Sequence, residues 1–160
     1  MAAIDRVDVD PELFYVACLL HDHGLITNVG GQDFTLRGAA RAEECGHSVD
    51  APRDRVTMVA DAITVHITPG LTVQRDGALG VYVASGALLD LGGTRAAELP
   101  RAYRQHAIGE HPLDGMGPAV IESVRAEVRA NPKSRLALLR KCGFTAVIQL
   151  GTRSHNSREL

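Results

Sequence analysis

The sequence predicts an all-α domain, a compact bundle of five or six helices. Apolar residues recur at intervals of three and four in several segments, and Gly or Pro bounds most of these segments. Alternating strand patterns are scarce, and residues 144–150 form the single β-like stretch. The chain has 160 residues, of which 45% are apolar. We therefore expect one domain over residues 1–150 and a polar C-terminal tail over residues 151–160.

The first predicted helix begins at Asp10 and Pro11. Asp caps free backbone amides at a helix start, and Pro at the first helical position has no N–H to leave unpaired. Residues 13–20 are apolar almost all round the helix, and Gly24 is placed to end it. This pattern predicts a buried central helix.

Five further helical segments follow from the same signals. A loop containing Gly30 and Gly31 precedes them. They are predicted within residues 36–46, 52–69, 78–92, 120–131 and 136–141. Residues 144–150 are predicted as either a strand or a terminal extension.

Composition excludes several classes of function. The formal net charge is −2, and three Phe, three Tyr and no Trp are present, so we expect no nucleic-acid partner. The longest apolar run, residues 13–20, is too short to span a bilayer, and the N-terminus has no signal-peptide layout. The three cysteines have no paired spacing. We expect a cytoplasmic protein that acts on a small-molecule substrate; a homo-oligomer stays open.

His21 and Asp22 are the most informative residues, because they end the most apolar predicted helix. A carboxylate buried beside an imidazole needs a compensating positive charge, and a divalent metal ion supplies it while using both side chains as ligands. The alternative is a helix-terminal histidine with Asp as a local cap.

Two further polar residues are expected to face the core. His66 lies three, seven and ten residues after Ile63, Val59 and Val56, on the apolar stripe of its helix. Asp90 follows an apolar helix one turn after Gly86, which leaves room for an ion or a substrate. For each residue alone, a structural role in the core or at a helix end is the alternative.

Three blocks of this sequence resemble the HD superfamily of metal-dependent hydrolases, particularly its cyanamide-hydratase-like branch. They are residues 15–25 (YVACLLHDHGL), 61–70 (DAITVHITPG) and 86–92 (GALLDLG). The resemblance covers about residues 10–140. It implies an HD-like bundle, with His21, Asp22 and Asp90 as metal ligands and His66 on the substrate side of the site.

The chain departs from the family pattern in two respects. The family's first ligand is a histidine on an upstream helix, but no histidine precedes His21, so the usual first helix would be missing. Either the natural protein begins earlier, or another histidine, a water or a partner chain fills the position. The candidate histidines are His23, His47, His106 and His111. The second departure is that residues 24–27 contain no acid, which weakens a phosphohydrolase assignment.

The sequence therefore predicts a metal-dependent hydrolase or hydratase with one divalent transition metal ion, Zn, Mn, Fe or Ni, and with Asp22 and His66 as catalytic residues. Hydration of a nitrile-like molecule and hydrolysis of a phosphoester are both open. The main alternative is a metal-deficient binding or regulatory protein, and a third is an interaction module. Asp61 is expected in solvent, Arg101 and Arg104 on an exposed basic loop, and Cys18 in the core.

Overall fold

The chain folds entirely into α-helices, one 3-10 turn and short connections in a computed structural model that describes residues 1–27 and 29–156. The helices are α1 (Ala2–Asp5), α2 (Pro11–Leu20), α3 (His23–Ile26), α4 (Phe34–Ser48), α5 (Arg53–Val65), α6 (Val73–Asp76), α7 (Ala78–Gly92), α8 (Arg101–Glu110), α9 (Met116–Ala130), α10 (Arg135–Lys141) and α11 (Phe144–Asn156), with the 3-10 turn at Ala96–Glu98. The all-α prediction is confirmed.

Side-chain caps set several helix starts. Asp10 accepts hydrogen bonds from the backbone N–H groups of Glu12 and Leu13, at 3.0 and 3.1 Å, and Pro11 is the first residue of α2, as predicted. Asp33 caps α4 in the same way. These caps satisfy amides that would otherwise lack partners, so they define where the helices begin.

Within residues 1–27 and 29–156, three apolar clusters form the core. The first joins α2, α4, α5 and α7 around Ala17 and Ile63, both fully buried. The second joins α3, α4, α9 and α10 around Phe34. The third joins α7, α9 and α11 around Ile148. The ends of α2 and α5 lie where the first two clusters meet.

Three sequence predictions about individual elements are wrong. Helix α2 is not buried all round, because Tyr15 and Leu19 are 65% and 64% exposed. Helix α2 ends before His21, and Gly24 lies instead within α3, where it is buried. Residues 101–110, expected to be a basic loop, form α8, in which no residue is buried.

The β-like stretch at residues 144–150 is also helical. It belongs to α11, which packs against α7 and α9 through the fully buried Ile148. The helix continues past the expected boundary at residue 150, and Gly151 is buried against the backbone of Leu91. Helices α8 and α11 raise the number of helices with ten or more residues to seven among the described residues, so the expected five or six is too low. Residues 157–160 of the predicted tail lie outside the described residues.

A buried ion pair between α4 and α9 stabilises the segment between α3 and α4. Arg37 donates to Glu127 Oε2 at 2.5 Å, and the Glu127 side chain is completely buried. Asn131 donates to the second Glu127 oxygen at 2.9 Å and to the carbonyl of Val29, and it accepts from the backbone N–H of Gly31. One charged network therefore ties α4 and α9 to the loop.

Across the described residues, every helix is too short or too polar to cross a lipid bilayer.

Candidate metal centre

His21 and His66 occupy the same position on two different helices. Each is the first residue after its helix, His21 after α2 and His66 after α5. The free carbonyl groups at a helix C-terminus carry a partial negative charge, so two such ends pointing to one place favour a cation there. The ring centroids of the two histidines are 5.1 Å apart, and the rings are perpendicular.

A backbone hydrogen bond orients each imidazole. His21 Nδ1 lies 2.7 Å from the carbonyl oxygen of Cys18, and His66 Nδ1 lies 2.6 Å from that of Ile63. A carbonyl oxygen only accepts, so both Nδ1 atoms carry the proton. In the neutral rings, Nε2 is then a free electron-pair donor. Metal-binding histidines in proteins commonly have this arrangement.

Asp22 lies between the two Nε2 atoms. Its Oδ2 is 3.3 Å from His21 Nε2, and its Oδ1 is 3.6 Å from His66 Nε2. Asp22 precedes α3 without capping it through its side chain, which leaves the carboxylate available to the histidines. The His66 side chain is 2% exposed, whereas that of Asp22 is 38% exposed. The group is therefore sealed on the His66 side and open at Asp22.

The pKa values show that this cluster attracts positive charge. Burial lowers the pKa of His21, but the hydrogen bond and charge of Asp22 outweigh burial and raise it above its usual value. Burial raises the pKa of Asp22, but hydrogen bonds with His21 and His66 outweigh that effect and hold it well below its usual range. Two imidazoles and a carboxylate at this spacing therefore favour a positive charge among them.

The donor set fits a divalent transition metal ion. His21, Asp22 and His66 each offer one ligand atom, and these atoms lie within 4.8 Å of one another. Ligands about 2.0–2.2 Å from a tetrahedral ion are separated by about 3.3–3.6 Å. Each histidine Nε2 lies at such a distance from one of the two Asp22 oxygens, His21 from Oδ2 and His66 from Oδ1. Two histidines and one carboxylate form an established ligand set for zinc and for non-haem iron.

The structure places two of the predicted site residues differently relative to the donor cluster than the sequence suggested. His66, expected on the substrate side, belongs to the donor cluster and also lines the adjoining cavity. Asp90, expected as a ligand, lies on α7 with an exposed side chain and is outside the cluster found among the described residues. Its charge still acts on the site, because it contributes to the raised pKa of His21.

The other candidates are separate from the cluster. His47, His106 and His111 are exposed, and His23 is half-buried, but none of them joins the cluster found among the described residues. Asp61 is exposed, as expected. Cys18 is half-buried, and its carbonyl oxygen, not its thiol, has the contact with His21. Burial, followed by the charge of Asp90, raises the pKa of the Cys18 thiol, which disfavours a nucleophilic thiolate.

A cavity of about 400 Å³ adjoins the cluster and is lined in part by Asp22 and His66. Its other walls come from the segment between α5 and α6 and from α7, α9, α10 and α11. The ring of Phe34 packs edge-on against His66, with the centroids 5.7 Å apart. Volumes of this order are typical of small-molecule sites.

Arg135 is a supporting residue that sequence reasoning missed. It donates to the carbonyl of Thr64 at 2.8 Å, in the last turn of α5, and to the hydroxyls of Thr35 and Thr68 at 2.5 and 3.0 Å. A guanidinium there satisfies a free carbonyl and complements the negative helix end. Arg135 thereby fixes the end of α5 just before His66. Arg135 is far from α5 in the sequence, so no local sequence pattern indicates this contact.

Comparisons with protein-family models, curated proteins and solved structures find no match for this chain. Membership of the HD superfamily stays a prediction from the three sequence blocks.

Proposed function

We propose that the chain binds one divalent transition metal ion through His21, Asp22 and His66, and that it adds water to a small molecule in the adjoining cavity. The observation that carries this proposal is the convergence of two histidine Nε2 atoms and one carboxylate beside the cavity, with each histidine Nδ1 held by a backbone carbonyl. Catalytic zinc sites commonly have three protein ligands and leave a further position open.

A divalent ion bound by these residues supplies two effects, lowering the pKa of a coordinated water towards about 7 and polarising the electrophile. The protein's own contribution is positioning. The backbone bonds to Nδ1 hold both rings in place, and the Asp22 carboxylate supplies negative charge between them. The mostly apolar cavity walls offer hydrocarbon surface to the part of a substrate that does not react.

The reaction class is that suggested by the resemblance to HD-type hydrolases, either hydration of a nitrile-like molecule or hydrolysis of a phosphoester. The proposed ligand set differs from the family expectation, since His66 takes the place expected of Asp90. This assignment also removes the need for an upstream histidine, because three donors already converge.

A metal-independent binding protein is the second candidate, and one observation favours it. Four protein ligands were expected from the family pattern, whereas three donors come together among the described residues. In such a protein, protonation of His21 would neutralise Asp22, in keeping with the raised pKa of that histidine.

Metal titration followed by a turnover assay tests the proposal. The purified chain, its Asp22→Asn variant and its Asp61→Asn variant would be titrated with Zn²⁺ and Mn²⁺ by calorimetry. Asp61 lies on α5 and is exposed, so it provides a matched loss of one carboxylate. We expect one equivalent of metal in the wild type and in Asp61→Asn, with affinity at least about 100-fold weaker in Asp22→Asn.

The same samples would be incubated with hexanenitrile and with hexyl phosphate, and products followed by NMR. Metal-dependent formation of hexanamide or hexanol, lost in Asp22→Asn, supports the proposal. Equal metal affinity in Asp22→Asn and the wild type contradicts the assigned ligands. Tight metal binding without turnover of either compound contradicts the assigned reaction for these substrate classes.

A further inference from the structure

The walls of the cavity beside the candidate metal centre are almost entirely apolar. They combine residues distant in sequence, so the cavity is a product of the tertiary fold. Representative wall residues are Ile67, Leu71, Leu88, Leu91, Val120 and Leu139. An apolar cavity of this size gains binding energy from any ligand that removes its hydrocarbon surface from water.

The two hydroxyl side chains among the described lining residues each make a hydrogen bond within the protein. The Ser85 hydroxyl donates to the carbonyl of Val81 in the preceding turn, at 2.8 Å. The Thr68 hydroxyl accepts from Arg135 at 3.0 Å. Among the described lining residues, only Asp22 and His66 bring acid–base or metal-binding groups to the cavity. A ligand's polar group is therefore best satisfied at that one end.

The charge of the lining disfavours an anionic ligand. None of the described residues that line the cavity is Lys or Arg, and Asp22 is its one ionisable acid. A phosphate transferred into this cavity would lose its hydration without a cationic side chain to replace it. A neutral molecule avoids that cost while its hydrocarbon part covers the same walls.

We propose that this cavity takes an uncharged substrate with an apolar body of several carbon atoms, whose single small polar group lies against Asp22 and His66. This inference rests on the proposed function for its choice of reacting end. It favours neutral molecules over phosphate monoesters wherever the ligand lies against the side chains of the cavity rather than against a bound metal ion.

A homologous series tests the apolar body. Butanenitrile, hexanenitrile and octanenitrile would be titrated into the metal-free chain and, separately, into the chain with one equivalent of Zn²⁺, with NMR chemical shifts as the readout. Burial of each methylene is worth about a factor of three to four, so affinity should rise about tenfold for each two-carbon step. Hexyl phosphate should bind the metal-free chain at least about tenfold more weakly than hexanenitrile.

Two leucine-to-arginine variants supply the matched comparison. Leu88 lines the cavity and is 40% exposed, so an arginine there can place its charge at the cavity without being fully buried. Leu138 is 63% exposed and is not a lining residue, although its neighbour Leu139 is. Leu88→Arg should weaken octanenitrile binding and strengthen hexyl phosphate binding, each by about tenfold. Leu138→Arg should leave both unchanged.

The outcomes separate the two proposals. The substrate class is supported if nitrile affinity rises with chain length and if Leu88→Arg weakens octanenitrile binding while strengthening hexyl phosphate binding. This holds even if zinc titration shows no metal binding, a result that would contradict only the proposed function. The inference would be overturned if the three nitriles bound with equal affinity, or if the metal-free chain bound hexyl phosphate as tightly as hexanenitrile. It would also be overturned if Leu88→Arg and Leu138→Arg changed ligand affinity equally.

Discussion

His21 and His66 face one another from the ends of two helices, with ring centroids 5.1 Å apart and with Asp22 contacting both Nε2 atoms. The equivalence of the two positions comes from the backbone. Each ring donates Nδ1–H to the carbonyl three residues earlier, so each directs its other nitrogen away from its own helix. The two histidines are therefore expected to act as a pair.

His21→Ala and His66→Ala should reduce Zn²⁺ affinity by similar factors, each at least about 100-fold, because each removes one of three ligands. Calorimetric titration measures both constants. His23→Ala is the matched control, since His23 is two residues from His21 but outside the donor cluster. If His66→Ala kept the wild-type affinity while His21→Ala lost it, His66 would return to the substrate-side role expected from the sequence.

Arg135→Met should lower both the stability of the fold and the metal affinity of the candidate site. It removes hydrogen bonds to Thr64, Thr68 and Thr35, and loss of such bonds to a charged donor costs about 1.5–3 kcal/mol of unfolding free energy. Because the end of α5 precedes His66 directly, Zn²⁺ affinity should also fall, by about tenfold. Urea denaturation and calorimetry measure the two effects. Arg140→Met, an exposed position on the same helix, should change neither.

Glu127→Leu should destabilise the fold by about 3–5 kcal/mol, since it leaves the Arg37 guanidinium without its buried partner. The double variant Arg37→Met/Glu127→Leu should lose clearly less than the sum of the single variants, because it removes both charges. Urea denaturation of all three gives the coupling. Glu44→Leu breaks the exposed Arg41–Glu44 pair and should cost at most about 1 kcal/mol. Additive losses for the buried pair would contradict this description.

Lowering the pH should reduce the free energy of unfolding, because the Asp5 carboxylate becomes protonated. Arg95 donates to both oxygens of Asp5 at 2.6 and 2.9 Å, and these bonds, with one from Tyr82, lower the pKa of Asp5 to about 2. A pKa lower in the folded than in the unfolded state stabilises the fold above the unfolded value, near 3.8, and this contribution disappears as the pH falls towards 2.

Asp5→Asn should therefore lower the unfolding free energy at pH 7 and converge with the wild type near pH 2. Chemical denaturation at a series of pH values measures the difference between the two proteins. Arg95→Met should flatten the same part of the profile, because it removes the main cause of the shift. A constant difference between Asp5→Asn and the wild type from pH 7 to pH 2 would contradict the assignment.

The sequence predicted the helices whose start signals and apolar stripes agree, such as α5, which follows Pro52 and in which Val59 and Ile63 are buried as expected. It failed for α11, where β-branched and aromatic residues suggest a strand but burial of Ile148 against α7 and α9 favours a helix. Helix α8 was missed because its residues are polar and none is buried.

The candidate site was predicted in part for the same reason. Local pattern placed His21, Asp22 and His66 near the core, and the structure brings them together. Pattern alone could not show which of His66 and Asp90 lies beside Asp22, because that depends on how the ends of three helices pack. Arg135 and the cavity walls join residues far apart in sequence, so no local signal marks them.

Gly24→Ala should damage both the fold and the candidate metal centre. Gly24 is the second residue of α3, two residues after Asp22, and an added Cβ would collide with the backbone carbonyl of Phe34 at the start of α4. Backbone cannot move aside as a flexible side chain can, so α3 must shift, at a cost of about 1–3 kcal/mol. That shift would move Asp22 relative to the two histidines and weaken Zn²⁺ binding.

Gly109→Ala is the matched control for this change. Gly109 is helical in α8, and an added Cβ there meets nothing within 4 Å. Alanine is preferred to glycine in a helix by about 0.5–1 kcal/mol, so this variant should be slightly more stable than the wild type and should bind Zn²⁺ equally well. Thermal denaturation and zinc calorimetry on both variants decide the matter. If Gly24→Ala bound zinc as tightly as Gly109→Ala, the close packing of α3 on α4 would not be what positions Asp22.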